Sequence, residues 1–198
     1  MIKKNILQGI LDIPNEDSII IDSYLIEIHF DEKFPYRFPI LLETGESIPN
    51  EIDWHKYTDG KCCITVEPDE IIKCKHGLTV LEFIEKYAFS FFANHVHRKL
   101  TGSYLNGEYS HGFPGLKEFY SDLLKTDNFS QWEEYYRHCF LKRTIGTGRN
   151  DKCFCGSNCK FKNCHYKIFG SLQEIGPDRF LKDLKDITLH EHFTSTLF

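Results

Sequence analysis

No apolar stretch in this chain approaches the roughly 20 residues that a membrane-spanning helix requires. The charged start, Met1-Ile2-Lys3-Lys4-Asn5-Ile6-Leu7, is not followed by a long apolar run and a small-residue cleavage site. It reads as a mature start rather than an export signal, so a cytosolic protein with no membrane partner is expected. Internal repeats and low-complexity tracts are also missing. Charge of one sign is modest, −5 over 198 residues, and does not by itself call for a polyanionic partner.

Aromatic residues, by contrast, are plentiful. They make up 15% of the chain, with 17 Phe and 10 Tyr, and hydrophobic residues reach 41%. That composition excludes a disordered chain and supports one core of ordinary size plus a small appendage. Strands are expected over Ile6 to Ile13, within Ser18 to Phe30, where apolar and polar residues alternate after Leu25, and over Ile40 to Glu43. Pro35 and Pro39 keep the residues before them out of helical geometry, so the connection over 34–39 is extended. Three consecutive strands with such connections suit an antiparallel meander. The stretch from Gly45 to Thr65 looks irregular, and a long loop inside a compact domain is often functional. A capping-box pattern at Thr79-Val80-Leu81-Glu82 opens a helix that runs to Leu100. Shorter helices are expected over 116–124 and 131–141, and an amphipathic stretch over 178–189. Residues 144–148 read as a linker. The expectation is therefore an α+β protein: an antiparallel meander sheet with packed helices over 1–143, a small zinc-binding segment over 148–167, and a helical tail over 168–198.

The eight cysteines are Cys62, Cys63, Cys74, Cys139, Cys153, Cys155, Cys159 and Cys164. Four of them fall within 153–164, and without an export signal such crowding points to metal rather than to disulfides. Cys153 and Cys155 form one pair, and the adjacent Cys164 and His165 form a second. Zinc accepts sulfur and nitrogen in a tetrahedral set, and four protein ligands close a structural site with no position left for catalysis. So short a segment lacks a core of its own, and bound metal would supply its folding free energy. The text Gly148-Arg149-Asn150-Asp151, then Cys153-Phe154-Cys155-Gly156-Ser157 and Cys164-His165, closely resembles the SEC-C motif, the zinc tail of the preprotein translocase motor and of many bacterial proteins. The resemblance implies Cys153, Cys155, Cys164 and His165 as ligands. Cys159 stands where that motif usually has a basic residue and is left outside the set, although it is a competing sulfur.

Seven Lys or Arg and one acid, Asp151, lie between Lys142 and Lys167, a charge of +6 against −11 for the rest. A basic knob on an acidic body suits an acidic protein partner or a nucleic-acid backbone, or is simply a solvated surface. The resemblance implies docking to chaperones or ribosomes. Nucleic acid ranks last, because few aromatics beyond Phe154, Phe161 and Tyr166 interleave the charges.

In the larger part, Ile28-His29-Phe30 followed by Phe34-Pro35-Tyr36-Arg37-Phe38-Pro39-Ile40-Leu41-Leu42-Glu43 resembles the strand–proline–strand core of ubiquitin-conjugating enzymes. His55, then Gly60-Lys61-Cys62-Cys63-Ile64, then the helix opening at Leu78-Thr79-Val80-Leu81 follow that family's order. Asp53-Trp54-His55 with Asp59-Gly60-Lys61-Cys62-Cys63 is similar to its bacterial relatives, as are the stretches 109–112 and 115–120. The resemblance implies that Cys63 carries a ubiquitin-like modifier as a thioester, received from an activating enzyme and passed to an amine. A thiolate is nucleophilic enough for this, and each transfer passes through an oxyanion that needs a hydrogen-bond donor. His55 would mainly shape the loop. Two departures stand out. Tyr57 occupies the place of the family's asparagine, and its longer reach is expected to put the hydroxyl elsewhere. The usual N-terminal helix is missing.

Adjacent side chains of an extended segment point to opposite sides. Counting from Gly60 favours Cys63 for the cleft and Cys62 for the core; the competing reading makes both small buried hydrophobes. His111 is either a loop-borne proton acceptor near Cys63 or a structural histidine. His95 and His97 do not share a helix face, and Trp54 reads as a packing anchor. Two functions follow: a conjugating enzyme acting through Cys63, or an inactive module of the same fold that positions the basic zinc tail on a partner.

Overall fold

The computed structural model describes residues 5–105, 109–141 and 148–195. Of the expected linker over 144–148, all but Gly148 lies outside them. The chain is α+β and forms two compact units, Met1–His111 and Gly112–Phe198.

In the first unit three strands, β1 (Ile6–Pro14), β2 (Ile20–His29) and β3 (Ile40–Glu43), make an antiparallel sheet in the order β1-β2-β3. The Asn15 side chain accepts from the backbone N–H groups of Asp17 and Ile19 and so closes the β1–β2 turn. Alternation along β2 buries Tyr24, Ile26 and Ile28 and turns Leu25 and Glu27 outward. The register sets Ile28 opposite Leu41, which gives β3 the same buried face.

Helix α1 (Glu67–Cys74) has no counterpart among the sequence expectations. Its eight residues, with Pro68 in the first turn, are too few for a readable period. Next, α2 (Val80–Phe83) starts at a capping box in which Thr79 Oγ1 accepts from the Glu82 N–H. The helix passes through a π-helical turn, Ile84–Ala88, into α3 (Phe89–Thr101). Gly102 then stops it in the left-handed conformation that glycine adopts at least cost. The core lies where α3 meets the sheet. Tyr24 stacks on Phe92 at 4.4 Å between ring centroids, with Phe83, Phe91 and Val96 alongside. Each such side chain contributes about 1.5–3 kcal/mol on burial.

The second unit contains α4 (Gly112–Leu124), α5 (Phe129–Tyr136), a π-helical turn at Arg137–Leu141, α6 (Tyr166–Ile175) and α7 (Pro177–Ser195). Asn128 caps α5 by accepting from the Ser130 N–H at 2.9 Å. Helix α7 packs against α4, α5 and α6. Phe180 is fully buried, and Tyr120 donates to the buried Asp183 carboxylate at 2.8 Å, which Arg179 also engages. Among the described residues no helix is long and apolar enough to cross a membrane.

Candidate functional site

The cysteine-rich segment between the π-helical turn and α6 brings four donor atoms together. The Sγ atoms of Cys153, Cys155 and Cys164 and a ring nitrogen of His165 all lie within 4.8 Å of one another, an arrangement that suits a metal ion. Cys153 Sγ and Cys164 Sγ each stand 3.1 Å from His165 Nδ1, and Cys155 Sγ is 3.6 Å from Cys164 Sγ. The exposed Cys159 is not one of the four; its carbonyl accepts the Cys153 N–H at 2.8 Å.

Local chemistry explains why these residues converge. Asp151 folds back so that its Oδ2 accepts the Gly148 N–H at 2.6 Å. A side chain at Gly148 would meet that same oxygen at 2.8 Å, so a larger residue there would push the Asp151 carboxylate aside. The Asp151 carbonyl then accepts the Phe161 N–H, and the Arg149 carbonyl accepts the Lys162 N–H. These bonds bring the second ligand pair back to the first. Gly156, at φ +77°, makes the turn after Cys155.

His165 has a second contact that fixes which nitrogen faces the sulfurs. Tyr135 Oη lies 2.7 Å from Nε2, leaving Nδ1 for the cluster. A ligating histidine is commonly oriented by a partner on its other nitrogen in this way. Around the cluster, Phe154 stacks on His138 with centroids 4.1 Å apart, and Phe161 and Phe169 pack edge to face at 5.3 Å. Burial pushes the Cys153 thiol up to about 11. The Ser157 hydroxyl is the largest influence on Cys155 and draws its thiol down to about 7.

A second cluster lies in the first unit. Donor atoms of His55, Cys63 and His111 all fall within 4.8 Å of one another. A 3₁₀ turn, Ile52–Trp54, delivers His55 in the left-handed conformation (φ 49°), and the His55 carbonyl accepts the Cys63 N–H at 2.8 Å. Between them the chain reverses at Gly60 (φ +85°), where the Gly60 N–H donates to the Tyr57 carbonyl at 2.9 Å. The returning arm is stitched to β3 by Glu43 N–H to the Gly60 carbonyl and Cys62 N–H to the Leu41 carbonyl.

That pairing sorts the two adjacent cysteines. Cys62 packs against the hydrophobic core, and burial pushes its thiol up to about 12. Cys63 is half-buried beside His55 and His111, whose rings are 4.1 Å apart. Tyr57 also reaches this cluster. Burial first, then the charge of and hydrogen bonding to Cys63, push its phenol up to about 12. The hydroxyl therefore stands beside the thiol.

Three features of this neighbourhood were not anticipated from sequence. Lys56, in a loop without regular structure, is buried and paired with the buried Glu43, while its Nζ also donates to the Ile48 carbonyl at 3.0 Å. Tyr104 packs edge-on against His55 at 5.2 Å. His95 is fully buried, stacked 6.2 Å from Trp54, and neither ring nitrogen has a hydrogen-bond partner among the described residues. Trp54 also carries the Arg98 guanidinium 3.9 Å over its ring. His97 instead turns to the Ser103 carbonyl at the end of α3. No protein-family model, curated protein or solved structure matches the chain.

Proposed function

We propose that the protein is a cysteine acyl-transfer enzyme of the ubiquitin-conjugating type, with a structural zinc tail. The observation that carries this reading is the contrast in what the neighbouring, partly buried thiols face: Cys63 lies beside two imidazoles and a phenol, while Cys62 packs against the core. An imidazole nitrogen of the cluster takes the Cys63 proton. The thiolate attacks the carbonyl carbon of an incoming thioester, the bond to the carrier's sulfur breaks, and that sulfur leaves as a thiolate. The modifier now rests on Cys63 until an amine displaces it. Tyr57, protonated throughout the neutral range, is the donor offered to the oxyanion. The partners on this reading are a ubiquitin-like modifier and its activating enzyme. Support comes from the motif residues named above and from this geometry.

Zinc is the proposed occupant of the Cys153, Cys155, Cys164 and His165 cluster. Tetrahedral zinc, at about 2.3 Å to sulfur and 2.0–2.1 Å to nitrogen, spaces its ligands roughly 3.5–3.8 Å apart. The observed separations of 3.1 and 3.6 Å need only slight expansion. Its role is to fold the segment and present the basic surface, whose partner would be an acidic protein or a ribosome.

The basic charge concentrated in 142–167 also favours a second reading, an inactive module that docks through the tail. Incubation with an activating enzyme, its modifier and ATP separates the two. The enzyme reading expects a thiol-sensitive adduct that Cys62→Ala retains and Cys63→Ala abolishes. A thioester that survives Cys63→Ala moves the nucleophile elsewhere. No adduct with cognate partners leaves the docking module.

A further inference from the structure

We propose that His55, Cys63 and His111 form a second metal site, one that takes a Zn²⁺ ion through a thiolate and two imidazole nitrogens and leaves its fourth position open. This goes beyond the acyl-transfer reading and does not depend on it.

The three donor atoms meet the same spacing limit, 4.8 Å, as the four of the tail cluster. They come from separate places in the first unit: the end of a 3₁₀ turn, the returning arm of the loop, and residue 111. The backbone holds two of them in register through the Cys63 N–H bond to the His55 carbonyl. The two imidazoles are tilted by 45° with centroids 4.1 Å apart, rather than stacked flat. One nitrogen of each ring lies within 4.8 Å of the other and of the Cys63 sulfur.

One sulfur and two imidazoles make a borderline-soft donor set that suits zinc better than magnesium or calcium, which prefer oxygen. Three protein ligands leave room for water or a substrate atom, unlike the closed set of the tail. Burial of His55 and the Tyr104 ring beside it limit solvent on one side, while Cys63 is only partly buried. On binding, the Cys63 thiol releases its proton to solvent and both histidines bind as neutral imidazoles. The ion occupies the sulfur that acyl transfer would use, so a zinc-loaded protein is held off from that chemistry.

The test is a zinc count on the full chain, equilibrated at a buffered free zinc concentration and measured by atomic emission. Two zinc ions per chain are expected in the parent protein, and one in both Cys63→Ser and His111→Ala. Cys155→Ser should retain the Cys63 ion, which replacement by cobalt would report as a thiolate-to-metal absorption band. Circular dichroism of each variant checks folding, and either loop variant suffices if the other does not fold. One zinc in the parent, or two in both folded loop variants, overturns the proposal. The adduct assay, run on metal-free protein, is read separately. A Cys63 adduct with a single zinc per chain would sink the second site alone, and two zinc ions without an adduct would sink acyl transfer alone.

Discussion

His95 carries an imidazole whose two ring nitrogens have no hydrogen-bond partner among the described residues. Burial comes first, and the positive charges of His55, Arg98, Lys99 and Lys56 add to it, together pushing its pKa down to about 3 from an ordinary 6.5. Trp54, Phe91 and Tyr104 supply the rings around it. The sign of the linkage follows. Above about pH 6.5 the histidine is neutral in folded and unfolded chains alike, and its burial is tolerated. Below that value the unfolded chain takes a proton that the folded chain refuses, so stability falls as pH falls towards 3. One such group contributes a slope of up to about 1.4 kcal/mol per pH unit. Replacing it, as in His95→Phe, should flatten the fall in stability between pH 6.5 and 5 relative to the parent, measured by urea unfolding at each pH. Equal slopes in the two proteins would mean that His95 is hydrated in solution. The sequence set His95 apart only as not sharing a helix face with His97. Its surroundings depend on residues of another loop, which no local pattern encodes.

The loop from Ile52 to Cys63 shows how an element without regular structure is nonetheless fixed. Part of it was legible: the stretch read as an irregular loop, and alternation from Gly60 implied that Cys62 and Cys63 face opposite ways. The strands were readable for the same reason, since β2 alternates and β3 is bounded by Pro39 and the Gly45 turn. What holds the loop to the sheet was not legible, because Lys56 and Glu43 are 13 positions apart and look like ordinary surface charges. Glu43 also accepts from the Gly45 and Ser47 N–H groups at 2.9 and 3.2 Å. Removing one member of a buried ion pair strands the other, at a cost of about 3–5 kcal/mol. Lys56→Met should therefore destabilise the protein by that order in denaturant unfolding. Adding Glu43→Gln should recover most of the loss, since the stranded charge is gone while the amide oxygen still accepts from Gly45 and Ser47. A double variant no more stable than Lys56→Met would show that the lysine acts through packing of its stem instead.

Each of the two units has its own core, and the cysteine-rich segment belongs to the second of them. That these four donors come together was readable from sequence because they lie in close pairs, and Gly156 marks the turn after the first pair. Tyr135 was not readable as a partner of His165, since 30 residues separate them and only folding brings them to 2.7 Å. That contact links the metal cluster to α5, while Phe154, Phe161 and Phe169 link it to α6. Loss of one thiolate should therefore be felt through a larger region than the segment itself. Structural metal supplies folding free energy to a segment with little core of its own. In Cys155→Ser, hydrogen exchange should lose protection across the 151–162 backbone bonds, α6 and the end of α5, whereas the β1–β2 ladder of the first unit keeps its own. A chelator added to the parent protein should reproduce the pattern in the second unit. Protection unchanged over 151–169 after removal of Cys155 would mean that the aromatic packing alone holds the segment, and that the four donor atoms converge without a metal's help.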